Sequence, residues 1–249
     1  MPENKIEEQD ILNFALNLEY LEAEFYTYAT TGKSITSFGI GIKGRASGSN
    51  TTTGGTTVGG SKVNFPDNEA FTHDVVAQIG ADERAHVVLL RGVLGSSACA
   101  MPNIDLRALG FGFGNMNDFL RAARILEDVG VTAYSGAAGF LKTPEIITAA
   151  ACLLGAEAEH AATIRTQIAR LKIPTTALDG VDLVPPPSGP AKQVLSIKDS
   201  DGLIATRTAG QVLYLTLGKA GVKQGGFFPS GLNGTITAST EAATQPVAA

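Results

Sequence analysis

The sequence predicts an all-α fold: a four-helix bundle with a long glycine-rich loop after its first helix and an extended C-terminal segment holding a short fifth helix. Three observations lead there. Four stretches of 20 residues or more carry apolar side chains at helical spacing. Two of them, "ADERAHVVLL" and "GAEAEHAATI", repeat a glutamate and a histidine three positions apart. The last two stretches are joined by "LKTPE", a connection too short for anything but antiparallel neighbours.

The first helix is read at about residues 6–30, a run without Gly or Pro. Ile11, Phe14, Leu18, Leu21 and Phe25 form one apolar row, and Leu12, Ala15, Leu16, Ala23 and Tyr26 another with Glu19 in its middle. An arc that wide must touch several neighbours. Asn13, Asn17 and Glu24 share the remaining, polar face. Residues 31–66 lose the helical period and are rich in Gly, Ser and Thr, which describes a long loop or loose ribbon. A phosphate-binding reading of those glycines fails, because GxxxxGK[ST] is absent.

The second helix is expected at about 67–95, with Asp67 as N-cap and Glu69 in the first turn. A connection with Gly and Pro leads to the third, at about 117–141. The fourth runs over about 144–172, with Thr143 as N-cap and Pro144 at the first helical position. Thr208 and Gln211 have capping-box spacing before "VLYLTL", which places the fifth helix at about 209–218. "LVPPPSGP" is extended, "GGFFPSGLNG" is a turn-rich segment able to dock two Phe rings, and the last dozen residues read as frayed. The division that results is 1–173 for the bundle and 174–249 for a C-terminal segment packing on it.

Composition removes several function classes. Of 249 residues 44% are hydrophobic and 17% charged, enough apolar material for a sizeable core. The net charge of −5 and the lack of a basic run argue against a nucleic-acid partner. No apolar run reaches the roughly 18 residues of a membrane span. The polar start "MPENKIEEQD" is unlike a signal peptide, so the chain reads as soluble: cytoplasmic as given, or exported if a leader was removed before residue 1. Cys99 and Cys152 have no CxxC spacing and read as two small buried thiols, with a disulfide left open.

The chemistry lies in the repeat. Residues three apart share a helix face, so Glu83 with His86, and Glu157 with His160, each offer a carboxylate and an imidazole to one point. Burying an ionised carboxylate among apolar residues costs several kcal/mol unless it is paired, and a metal cation supplies that pairing. The other two long helices each hold one acid in an apolar setting, Glu19 and Glu127, each followed seven positions later by a tyrosine, Tyr26 and Tyr134. The order Glu…Tyr, Glu-x-x-His, Glu…Tyr, Glu-x-x-His is a two-fold repeat of a helical hairpin. Glu19, Glu83, His86, Glu127, Glu157 and His160 thus form the known ligand pattern of carboxylate bundles that hold two metal ions. Glu22, one turn from Glu19, is the rival on the first helix; the shared spacing to tyrosine favours Glu19. Each tyrosine either bonds a ligand carboxylate or packs in the core. Glu24 and Asp128 are expected to face solvent or a flank, Glu159 to lie beside the site or at the surface, and His73 at the surface or a cap. Asp82 either orients a histidine or is solvated.

With these residues the chain resembles the ferritin-like superfamily, in the branch that includes desiccation-related proteins. "ILNFALNLEYLEAEFY" is similar to that branch's opening helix, and "RTAGQVLYLTLG" with "GGFFPSGLNG" to its C-terminal extension. The resemblance implies an up-down-down-up bundle. It also implies Glu19 and Glu127 as carboxylate ligands, two Glu-x-x-His pairs whose glutamates bridge, and two metal ions, iron or manganese. The Gly-rich loop and the extension depart from storage ferritins and speak against a hollow iron cage. Three functions follow: a di-metal enzyme taking O₂ or H₂O₂ as small-molecule oxidant, a metal-binding protein of oxidative or desiccation stress, or a structural stress protein using the bundle as scaffold. Exposed apolar helix surface would fit a homo-oligomer, or would be covered by the extension.

Overall fold

A computed structural model describes residues 6–46, 51–195 and 202–244. Helix α1 spans Glu8–Thr31, α2 Ala70–Leu94, α3 Met116–Ala137, α4 Pro144–Leu171 and α5 Ala209–Leu217. Helices α1 and α2 pack as one pair and α3 and α4 as the other. The two pairs close on each other in an all-α bundle, and α5 lies against α3.

Each helix end has a local cause. At the start of α1 the Glu7 amide donates to Asp10 Oδ2 at 3.0 Å. At its end Gly32 takes the left-handed conformation, φ 73°, and returns its amide to the Tyr28 carbonyl. Asp67 does not cap α2: Asp67–Glu69 is a 3₁₀ turn that leads into the helix. Glu69 is buried by Arg170 and Thr72, so a charge pair with α4 settles this entry rather than a cap. The amide of Asp118 donates to the Asn115 side chain, fixing the start of α3. Thr143 stands before α4 with Pro144 in its first turn. The Thr143 amide and hydroxyl both donate to Glu8, at 2.8 and 2.7 Å, pinning the α3–α4 turn to the start of α1. The Thr208–Gln211 capping box opens α5.

The face of α1 expected to be polar is buried. Asn17 donates to the Asn233 carbonyl at 2.8 Å and accepts from the Asn233 amide at 3.1 Å. Asn13 accepts from the Cys99 amide at 2.7 Å. The α2–α3 connection and the C-terminal segment cover this face, and side-chain amides satisfy the backbone groups they bring with them.

The loop after α1 forms short ladders: Gly44–Arg45 pairs antiparallel with Thr51–Thr52, and Thr57–Val58 pairs parallel with Ile104–Asp105. Its residues 47–50 lie outside the described residues. Phe227 and Phe228 are buried. The tail is not frayed up to 244, because Ser239 and Ala243 are buried and the Ala243 carbonyl accepts from the Gly180 amide at 2.8 Å; its last five residues, and the first five of the chain, lie outside the description. Both cysteines are free, Cys99 buried and Cys152 exposed, which corrects the reading of two buried thiols. Among the described residues no helix is long and apolar enough to cross a membrane.

Candidate metal centre

Four helices each turn a carboxylate into the middle of the bundle: Glu19 from α1, Glu83 from α2, Glu127 from α3 and Glu157 from α4, each 0–1% exposed. His86 and His160 stand one turn beyond their glutamates, with ring centres 5.9 Å apart. The structure therefore brings all six sequence-selected residues to one place.

The contacts run between helices. Nδ1 of His86 lies 3.2 Å from Glu19, 3.3 Å from Glu83 and 3.5 Å from Glu157. Nδ1 of His160 lies 2.9 Å from Glu83 and 3.6 Å from Glu127. The outer nitrogen, Nε2, of His160 is 3.4 Å from Asp82. Ligand-capable atoms fall into overlapping groups within 4.8 Å: Glu19, Glu83, His86 and Glu157; Glu83, Glu127 and His160; and Glu22, Glu127 and Glu157. Glu83 joins the first two groups and Glu157 the first and third. The tyrosines tie the frame together. Tyr26 donates to Oε1 of Glu127 and Tyr134 to Oε1 of Glu19, so each crosses to the helix carrying the other.

Six acids and imidazoles in so small a buried space perturb one another. Burial, and then the neighbouring Glu83 charge, raises Glu19 to about 7 and Glu157 well above the carboxylate range. Burial likewise raises Glu127, opposed by His160. Burial would also raise Glu83, but the imidazoles of His160 and His86 outweigh it and hold this acid at about 2. Burial works against the charged imidazoles, yet the carboxylates around them prevail, lifting His160 to about 11 and His86 higher still. Both oxygens of Glu83 and of Glu157, and Oε2 of Glu127, remain buried without a well-directed hydrogen bond.

Such orphaned oxygens are rare in folded proteins, and they converge here with two imidazole nitrogens. The donor set is hard oxygen plus borderline nitrogen, with no thiolate among it, which suits a hard or borderline cation rather than a soft one. The residues fit a bound cation.

Three acids lie where the sequence reading did not place them. Glu22, set aside in favour of Glu19, also points inward; burial first, and then Glu157, Glu83 and the other carboxylates, hold it well above its usual range. The signal was the Glu-x-x-Glu spacing, which puts both acids on one face. Opposite it, a side chain on Gly130 would meet Glu157 Oε2 at 2.5 Å and Glu22 Oε1 at 3.3 Å. Glycine thus leaves the room that Glu22 uses. Glu24 does not face solvent but is buried, accepting from the Ser34 hydroxyl at 2.7 Å. Asp128 is buried between Arg124 and Arg165, both 2.7 Å from its Oδ2. Glu159 is exposed, and His73 sits half-buried in the first turn of α2, against the Phe65 ring.

The fold and site together define a helical bundle lined by carboxylates and histidines. The chain belongs to the family of ferritin-like domains, whose model matches residues 7–170, the span of α1 to α4 almost to its end. It is similar to desiccation-related protein PCC13-62 of Craterostigma plantagineum, 30% identical over 172 residues that cover 62% of this chain and 51% of that protein. The match therefore takes in about half the length of the relative.

Proposed function

We propose that Glu19, Glu83, His86, Glu127, Glu157 and His160 would hold two metal ions, iron or manganese, in a protein of oxidative or desiccation stress, with Glu83 and Glu157 each shared between two of the ligand-capable groups. The observation that carries this is the convergence of orphaned, fully buried carboxylate oxygens on two imidazoles. Bound there, the metal pair would supply two-electron chemistry on O₂ or H₂O₂. The chain's own part is to orient and to seal. Glu83 lies within reach of both histidines and Glu157 of His86, and Tyr26 and Tyr134 each bond an outer carboxylate, Glu127 and Glu19. Water access at Glu22 is narrow: the cavity it shares with Gly130 and Thr216 holds about 10 Å³, room for a single water. The stress role draws on the name of the relative, and peroxide removal or Fe(II) oxidation on the site.

Metal analysis tests the reading. Protein produced with iron and manganese available should carry two ions per chain, and Glu83→Ala and His160→Ala should each lower that content. Occupancy well below one ion per chain, or unchanged in both variants, ends the ligand assignment. Oxygen evolution from H₂O₂ by the manganese form separates peroxide removal from Fe(II) oxidation. Protection of a partner enzyme during drying by metal-stripped protein would favour a scaffold role.

A further inference from the structure

The two halves of the bundle are alike around the carboxylates and unlike behind the tyrosines. Tyr26 is sealed by rings, with Phe25 at 5.3 Å and Phe119 at 5.7 Å, both edge-on. Behind Tyr134 the packing leaves a gap, where Ala15, Ala137 and Ala150 stand among the larger Ile11, Phe14, Leu18 and Leu141. Its ring is only half-buried and walls a slim apolar cavity of about 30 Å³. Across shared walls at Ile11, Phe14, Ala133 and Ala137 lies a second cavity of about 540 Å³ that reaches Phe140 and the start of α5. That volume is within the range of small-molecule sites, about 300–1,000 Å³.

The lining decides what fits. The one ionisable side chain in the large cavity, among the described residues, is Arg207, and both of its contacts to Asp179, at 2.8 Å each, are already made. In the slim cavity the Tyr134 hydroxyl is committed to Glu19. A charged ligand would lose its hydration and find no partner. An apolar one would replace water at no such cost. The slim inner end has room for little more than a chain terminus, which excludes a ring system there.

We propose that the two cavities open into each other past Phe14 and Ala137 and together bind a neutral, linear hydrocarbon chain, such as the tail of a long-chain alcohol, whose end rests on the Tyr134 ring. The site stands on the cavity walls alone and does not depend on the metal being present.

The chain has no Trp, so Phe140→Trp places a single reporter at the exposed mouth. Titrated with n-decanol, with and without metal, its emission should shift to the blue and saturate at one decanol per chain. Decanoate and decyltrimethylammonium should bind about tenfold more weakly or worse. Adding Ala133→Phe, or Ala137→Leu should that variant lose helix content, should remove the shift. No saturable shift, an equal response to the charged analogues, or a shift that survives in a folded blocked variant overturns the site. A blue emission without decanol that grows with protein concentration would assign this surface to a second copy and overturn it as well. Decanol binding by metal-free protein with no metal site found would keep this inference and sink the proposed function.

Discussion

Tyr26 donates its phenol hydrogen to Glu127, an acid 101 positions further along the chain on a different helix. Tyr134 mirrors it onto Glu19, so a hydrogen bond from each half fixes a carboxylate of the other. Partners that orient ligands typically matter ten- to a hundredfold in metal affinity. Tyr26→Phe keeps the ring packed against Phe25 and Phe119 but strips Glu127 of its donor, leaving both oxygens without one. We expect affinity to fall about tenfold or more, and the metal-free protein to lose about 1–3 kcal/mol. Chelator competition and urea unfolding check the two numbers. Unchanged affinity would reduce the phenol to packing.

Gly130 sets two effects against each other. Alanine is the better helix former by about 1 kcal/mol, yet here its methyl would push on Glu157 Oε2 from 2.5 Å. The far end of a glutamate can move, so Gly130→Ala should fold and keep its helix content. The displaced carboxylate belongs to two of the three ligand groups. Metal content should therefore fall while thermal stability of the metal-free form holds or rises. A rise in both would show that Glu157 is not needed where it stands.

That the six residues meet was legible because a repeated Glu-x-x-His fixes its own geometry: residues three apart share a face wherever the helix lies. The sequence could not say which way Glu24 or Asp128 faces. A helix touched on all sides has no solvent face to read from periodicity, and α1 has 17 buried residues, Asn13, Asn17 and Glu24 among them. The partners that bury Asp128 come partly from α4, Arg165, and only Arg124 lies within one helix turn; that i,i+4 pair was the local signal. The loop ladders were invisible for another reason. Thr57–Val58 pairs with Ile104–Asp105, two-residue strands far apart in sequence and too short to show alternation.

Glu24 gives a pH dependence away from the proposed metal centre. Burial raises it from 4.5 to about 7, against hydrogen bonding from Ser34, the Ile35 amide and Thr57. Below pH 4.5 folded and unfolded chains both hold the proton. Between 4.5 and 7 the unfolded acid ionises while the folded one stays protonated, so stability falls as pH rises, and the loss is complete above 7. Glu24→Gln keeps the shape and cannot ionise. Compared with the parent it should show a flatter stability profile across this window and be more stable at pH 8, by roughly 1–3 kcal/mol. Urea unfolding of both proteins at pH 5 and pH 8 reads the difference. Parallel profiles would mean that the carboxyl ionises freely in the folded chain.

Arg165 joins the bundle to the segment beyond α4. It donates to Asp128 at 2.7 Å and to the carbonyls of Leu183, Gln193 and Val194 at 2.6, 2.8 and 2.8 Å. Arg124 repeats the device, bonding Asp182 at 2.6 Å while sharing Asp128. Breaking one side of a buried pair costs about 3–5 kcal/mol, since the charge left behind stays buried. Arg165→Met should cost about that much, and should open the chain to trypsin at Lys192. Arg165→Lys should rescue little, because an ammonium lacks the planar fork that reaches an acid and several carbonyls at once. Metal content should not change, because none of these contacts involves the six residues proposed to hold the metal. If Arg165→Met lost metal along with protease resistance, the segment would be supporting the centre itself, and the clasp would belong to the site rather than to its cover.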